Sequence, residues 1–276
     1  MQVTTSLALV NGTHSRVKHT RHGFMLYNTH DAYVGRSLEL YGEFSYGEIE
    51  LFAQMLKPGM TILDVGANIG AHTLYFAEVA GSTGSVIAFE PQRAVHQILV
   101  ANLALNDVSN CRALQMGVGK APGQAFIPAV DYGAAGNFGG VSLGDDNGAK
   151  GETVAVVPID GIGLDQCHFI KIDVEGMEEA VIDGAAGVIR RDRPALYVEN
   201  DRREKSESLI RRLQDLNYRL FWHLPPLFNI ANIYGNGVNV FPGIVSINML
   251  CLPAESVNNV TGLQEVTSPF DWPLTQ

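Results

Sequence analysis

Two groups of residues in this sequence have types and spacings suited to chemistry. The first is the run Ile62-Leu63-Asp64-Val65-Gly66-Ala67-Asn68-Ile69-Gly70-Ala71-His72-Thr73, an apolar stretch that enters a tight turn and then a helical pattern. Gly66 and Gly70 let the backbone come close to a ligand, and Asn68 between them is a residue type that tolerates positive φ. Such a turn aims backbone N–H groups at whatever binds, and the start of the following helix favours a carboxylate or phosphate. Phe89-Glu90-Pro91 follows, with Glu90 twenty positions beyond Gly70. At that spacing an acid ending the second strand accepts hydrogen bonds from ribose hydroxyls, so a nucleoside-bearing ligand is expected. The fingerprint positions hold Gly66, Asn68 and Ala71, a poor match to the Gly-x-Gly-x-x-Gly of dinucleotide sites. A carboxylate at Asp64 repels a pyrophosphate and attracts an ammonium or sulfonium group, which favours an amino-acid-bearing nucleoside over NAD. The plain alternative is a strand-to-helix turn without a ligand, and the pairing with Glu90 weighs against it.

The second group is acidic. Lys171-Ile172-Asp173-Val174-Glu175-Gly176 and Tyr197-Val198-Glu199-Asn200 read as the ends of adjacent strands, presenting Asp173, Glu175, Glu199 and Asn200 to one cleft. Converging carboxylates need a partner, and three suit them: a positive centre on the cofactor, the proton of a substrate hydroxyl, or a divalent cation such as Mg or Ca. Asp173, Glu199 and His223 are the candidate bases, and Asp173, Glu199 and Asn200 the candidate metal ligands. The competing reading has these acids solvated or capping the helices that follow. His72 and His168 read as packing or exposed residues.

The turn Asp64–Gly70, the strand end Phe89-Glu90-Pro91 and the run Ile172-Asp173-Val174-Glu175-Gly176 together resemble the FkbM-family methyltransferases, over about Gly42 to Glu199. Those are S-adenosylmethionine-dependent enzymes of the class I Rossmann-like type. The resemblance implies that Asp64, Gly66, Asn68 and Gly70 surround the methionine part of the cofactor and that Glu90 holds the ribose; Asp173 is a further candidate for cofactor binding. Met177 departs from the polar or aromatic residue the family often has there. The acid of Asp173 with the pair Glu199-Asn200 is similar to the metal site of catechol-type O-methyltransferases. The expected reaction is O-methylation of a hydroxyl on a sugar, glycan or polyketide-like small molecule. Two rivals remain: a nicotinamide-dependent oxidoreductase or sugar epimerase, which lacks its third glycine and a Tyr-x-x-x-Lys pair here, and a non-catalytic nucleoside-binding module.

The elements that must position these residues follow from composition and period. Of 276 residues, 46% are hydrophobic and 17% charged, which excludes disordered and fibrous classes. The formal net charge of -10 opposes general binding to nucleic acid or to anionic membranes. No apolar run reaches the roughly 18 residues of a membrane span, and Met1 to Asn11 has no basic region of an export leader. Cys111, Cys167 and Cys251 lie far apart without metal-ligand spacing, so a reduced, cytoplasmic protein is expected.

Short apolar runs at 61–65, 85–90, 111–118, 168–173 and 194–199 alternate with helical patterns, the signature of βαβ units. Ser45-Tyr46-Gly47-Glu48 reads as a capping box opening the first core helix. The expected architecture is one domain over 1–276: an α/β doubly wound, mostly parallel seven-stranded sheet with an antiparallel edge. Residues 1–44 form a cap, 45–223 the Rossmann-like core with an inserted hairpin in 119–160, and 224–276 a substrate loop, last strand and tail. Within the last segment, 224–243 mixes aromatic and amide groups suited to choosing an acceptor. Tyr33, Tyr41 and Tyr46 read equally as lid or core aromatics. The acceptor partner is a small molecule or glycan, and homo-oligomerisation stays open.

Overall fold

The computed structural model describes residues 10–144 and 148–274. The reading of the first residues as lacking a leader, part of the 119–160 insertion and the end of the tail fall on 1–9, 145–147 and 275–276, outside the described residues.

A meander of β1 (Val10–Asn11), β2 (Ser15–Thr20) and β3 (Gly23–Asn28) precedes α1 (Val34–Tyr41) and α2 (Tyr46–Phe52). Alternation then begins: β4 (Thr61–Val65), α3 (Ala71–Ala80), β5 (Ser85–Phe89), α4 (Arg93–Leu105) and β6 (Cys111–Leu114). A small separate sheet follows, made of β7 (Gly117–Val118), β8 (Gly123–Pro128) and β9 (Gly151–Val157). The chain returns through β10 (Phe169–Ile172), α5 (Glu178–Gly184), α6 (Ala186–Asp192), β11 (Ala195–Glu199) and α7 (Arg203–Asp215). It ends with β12 (Tyr218–His223), β13 (Asn248–Pro253) and β14 (Gln264–Glu265).

The main sheet has the order β14-β12-β13-β11-β10-β4-β5-β6. Strands β11, β10, β4, β5 and β6 are parallel, and β13, β12 and β14 pair antiparallel at one edge. The two-residue β14 makes this sheet eight-stranded rather than seven-stranded. The order reverses at β4, so the switch point lies at the carboxyl ends of β4, β5 and β10, where ligands bind in doubly wound sheets.

Strands buried on both faces explain why the central runs read as continuously apolar: Ile62, Leu63, Val65, Val86, Ile170 and Ile172 are all buried. Side chains such as these contribute about 1.5–3 kcal/mol each when removed from water. The run 111–118 does not stay one strand. Backbone pairing with β5 stops at Leu114, and Gly117–Val118 joins β9 in the small sheet. The expected hairpin within 119–160 is formed by β8 and β9.

Two expectations change in detail. Ser45 sits at φ 44, and its hydroxyl donates to Glu48 Oε1 at 2.8 Å instead of accepting from a backbone N–H, so no capping box forms. Residues 224–243 pack on α1 and the meander: Tyr41, Leu227 and Phe241 form one cluster, and the Tyr234 hydroxyl donates to the His19 carbonyl at 2.7 Å. Tyr41 is therefore core, Tyr46 lies under the Arg21 guanidinium, and Tyr33 lines the cleft described next. Among the described residues no helix is long and apolar enough to cross a membrane.

Candidate active site

The turn after β4 carries Gly66 at φ 82, Asn68 at φ 51 and Gly70 at φ 89. Its N–H groups are partly committed inside the protein, since Gly66 and Ala67 donate to the Phe89 carbonyl at 3.0 and 2.9 Å. The glycines answer to packing more than to a ligand. A Cβ at Gly66 would overlap the carbonyl oxygen of Asp173, and one at Gly70 would stand 2.7 Å from Leu99 Cδ1. Glu90 is held at the end of β5 by the backbone N–H groups of Asn68 and Gln92, each 2.9 Å from one carboxyl oxygen. Burial nonetheless pushes its pKa up to about 7.

Asp64 does not face the cleft. It is fully buried beneath the turn, where Oδ2 accepts from the Thr73 hydroxyl at 2.6 Å and Oδ1 lies 3.8 Å from Lys171 Nζ without a hydrogen bond. Lys171, which no sequence motif singles out, is placed beside Asp64 by the β10–β4 register and donates to Asp173 at 2.9 Å. Burial alone would lower its pKa, but the carboxylates of Asp173, Asp64 and Glu48 outweigh that and keep the ammonium charged. Its one signal in the sequence is a lysine inside the otherwise apolar run Phe169–Ile172.

A cleft of about 430 Å³ opens at the switch point, lined by Gly66, Asn68, Glu90, Asp173, Glu175, Glu199 and Asp201, with Glu48, His72 and Lys171 at its inner end. The cleft continues into a narrow apolar slot between Pro91, Met116, Val118, Val141 and Met177, which Glu90 and Asp173 also border. Glu199 is half-buried, and its Oε2 is inaccessible to solvent and has no partner. Burial, then the charges of Asp173, Asp201 and Glu175, push its pKa well above the ordinary carboxylate value, which favours the protonated form. Glu175 is tied to Arg202 at 2.6 Å and sits at φ 56 in the turn after β10.

The expected metal set is not assembled. Asn200 points away from the cleft, its amide donating to the Ser206 hydroxyl at 2.9 Å and facing Met249 sulfur at 3.4 Å. The Lys171 ammonium already occupies one side of Asp173, where it would repel a second cation. Among the described residues no group of three His, Cys, Asp or Glu is arranged to hold a metal ion.

His223 is also apart from the other candidates. Its Nδ1 shares a hydrogen bond of 2.7 Å with the Tyr197 hydroxyl, and it lines a different cleft, of about 960 Å³, bordered by Gly47, Glu50 and Leu51 of α2. Burial lowers its pKa to about 4, so it is neutral. His223→Ala is accordingly expected to change the affinity for a ligand of the switch-point cleft by less than about twofold, or 0.4 kcal/mol. Calorimetry on the variant checks this, and a tenfold loss would put His223 back in the site.

The cover over the cleft comes from the insertion rather than from 224–243. The Gln92 amide donates to the Phe138 carbonyl at 2.8 Å, the Tyr132 hydroxyl donates to Gln92 at 3.0 Å, and Ser142 donates to the Glu175 carbonyl at 2.9 Å. Asn137 and Gly139 thereby reach the cleft wall. From the segment expected to choose the acceptor only Leu227 lines it, joined by 244–248.

Comparison with known proteins matches residues 64–220 to the FkbM methyltransferase domain. The methyltransferase sdnD of Sordaria araneosa is 29% identical over an alignment of 154 residues, with coverage of 45% of this chain and 59% of sdnD. The chain thus spans less than two thirds of that relative. The solved methyltransferase FkbM of Methylobacillus flagellatus has a TM-score of 0.46 at 18% identity, covering 73% of this chain and 50% of that one. A transferase of Pyrococcus horikoshii has a TM-score of 0.50 at 17% identity, covering 88% and 73%, a likeness of fold. The matched span runs from Asp64 in β4 to Leu220 in β12, takes in the turn, Glu90, Asp173 and Glu199, and is more than half of the 276 residues. This chain belongs to the FkbM methyltransferase domain family.

Proposed function

We propose that this protein binds S-adenosylmethionine in the switch-point cleft and methylates a hydroxyl of a small-molecule, sugar or glycan acceptor. The observation that carries the reading is Glu90: a buried carboxyl, oriented by two backbone N–H groups, between an apolar slot and a cleft with an excess of acids. The residues fit the cofactor part by part. Glu90 can accept from ribose hydroxyls, the slot of Met116, Val118 and Met177 suits a flat apolar base, and the turn with Asp173 suits a positively charged amino-acid tail. Bound there, S-adenosylmethionine supplies an electrophilic methyl group on a positively charged sulfur.

The chain's own residues supply the acceptor side. Tyr33, Phe44, Leu227 and Val245 add apolar and aromatic surface to the cleft lining. In the same cleft, the unpaired Oε2 of Glu199 is available to hydrogen-bond a hydroxyl and fix its direction. The three cysteines are free, which suits a reducing compartment such as the cytoplasm.

Calorimetric titration of S-adenosylmethionine and, separately, NAD into wild type and Glu90→Ala tests the reading. Micromolar binding of the methyl donor is expected, weakened tenfold or more in the variant, about 1.4 kcal/mol. Binding of NAD alone would overturn the reading in favour of an oxidoreductase, and binding with later failure to methylate any acceptor hydroxyl would leave only a nucleoside-binding module.

A further inference from the structure

Glu48 of α2 and His72 of α3 meet at the inner end of the cleft. Nε2 of His72 lies 3.7 Å from Oε2 of Glu48 and has no hydrogen-bond partner. Both side chains line the cavity, and their residues are 4% and 6% exposed. The other oxygen of Glu48 accepts from the Ser45 hydroxyl at 2.8 Å and faces the Asn248 amide at 3.4 Å. The charged and titratable groups around Glu48 come from three elements: Lys171 and Asp173 at β10, Tyr197 at β11 and His72 at α3. Lys171 is the cation of this corner, and it lies closest to Asp173 at 2.9 Å and to Asp64 at 3.8 Å. His72 brings no charge, because burial holds its pKa well below the ordinary value. Glu48 is thus a buried carboxyl without a cation of its own, and burial pushes its pKa up to about 7.

We propose that Glu48 is the proton-exchanging group of this site: shared between its protonated and ionised forms in the free protein, it gives up its proton to solvent when a cationic methyl donor enters, and as a carboxylate it receives the acceptor's proton. The proposal rests on the methyltransferase reading above. In the group transfer the hydroxyl O–H bond breaks and its proton goes to a Glu48 oxygen. The hydroxyl oxygen's electron pair forms the bond to the methyl carbon, and the sulfur–carbon bond breaks with its pair returning to sulfur. A positive charge arriving within a few ångströms favours the ionised carboxyl, so a group half protonated near pH 7 loses up to about half a proton. His72, neutral and unpartnered beside Oε2, stabilises neither form by charge and so leaves the equilibrium near neutrality.

The test uses the full chain and needs no acceptor. Calorimetry at pH 7 in two buffers of different ionisation enthalpy counts protons released as S-adenosylmethionine binds. Wild type is expected to release several tenths of a proton more than Glu48→Gln, which keeps the hydrogen bonds but cannot titrate. S-adenosylhomocysteine, with a neutral sulfur, is expected to release fewer than the methyl donor in wild type. Where the glutamine variant does not fold, Glu48→Met, of similar volume and without charge, carries the same expectation. Equal release by wild type and variants overturns the role of Glu48 while leaving the methyltransferase reading intact. No binding of S-adenosylmethionine to wild type overturns that reading, and this one with it.

Discussion

Replacing Lys171 by methionine is expected to lower the unfolding free energy by about 3–5 kcal/mol, the usual effect of removing one partner from a buried ionic cluster. Lys171 is 3% exposed, and its ammonium stands between two carboxylates of very different exposure. The Asp173 side chain is 40% exposed, so water screens that pair and little stability rests on it. Asp64 is fully buried, one of its oxygens has no hydrogen bond, and burial already raises its pKa despite Lys171. Without the ammonium, Asp64 and Glu48 must either stay charged in an apolar interior or take up protons. The sign of the pH dependence follows. Carboxyls whose folded pKa is raised carry no ionisation penalty below their unfolded pKa, near 4, and the full penalty above their folded pKa. The gap between wild type and variant should therefore be wider at pH 8 than at pH 5. Urea denaturation at both values measures it, and a gap under about 1 kcal/mol, or one that narrows toward pH 8, would refute this account of Lys171.

The features legible in the sequence are those that one strand or one turn decides alone. Burial on both faces makes β4, β5, β10 and β11 continuous apolar runs, and positive φ at Gly66 and Gly70 marks the turn between β4 and α3. Glu90 could be placed because the distance from the turn to the end of the next strand is fixed by one βαβ unit. The features that escaped depend on register or on contact between distant elements. Lys171 lies in a run correctly read as a strand, but its partner Asp64 is chosen by the pairing of β10 with β4. Glu48 matches a helix-capping pattern, and only the left-handed backbone at Ser45 turns the hydroxyl onto the carboxyl instead.

Asn200 shows the limit of reasoning by adjacency. β11 ends at Glu199, and the next residue bonds its backbone N–H to the Ile247 carbonyl at 2.8 Å while its amide turns to Ser206 on α7. One position of chain separates a cleft residue from a packing residue. The cover of the cleft was hidden for a related reason. Residues 129–144 are held largely through backbone atoms, such as the Gly136 N–H on the His30 carbonyl at 3.0 Å, which no side-chain pattern announces. The aromatic and amide residues of 224–243 are committed to packing against α1 instead.

Gly66→Ala is expected to damage both the fold and the cofactor site, and a second glycine separates the two ways it can do so. At φ 82 any residue with a Cβ is strained, by about 1–2 kcal/mol. Gly262 has nearly the same φ, 80, and no atom within 4 Å of where a Cβ would stand, so Gly262→Ala should show that strain alone. At Gly66 the added carbon would also overlap the Asp173 carbonyl oxygen. That oxygen cannot simply retreat, because the Asp173 N–H donates to the Val65 carbonyl at 3.0 Å and fastens the end of β10 to the end of β4. Relief requires those two strand ends to part, which displaces the turn and Asp173 together. The expected loss is therefore several kcal/mol beyond that of Gly262→Ala, with at least a tenfold fall in affinity for S-adenosylmethionine. Urea denaturation and calorimetry on the two variants decide it. Equal losses would mean that the glycine is needed only for its backbone angle. The larger loss at Gly66 would mean that it is there to let two strands of the sheet's switch point touch, with the ligand's approach to the turn a consequence of that contact.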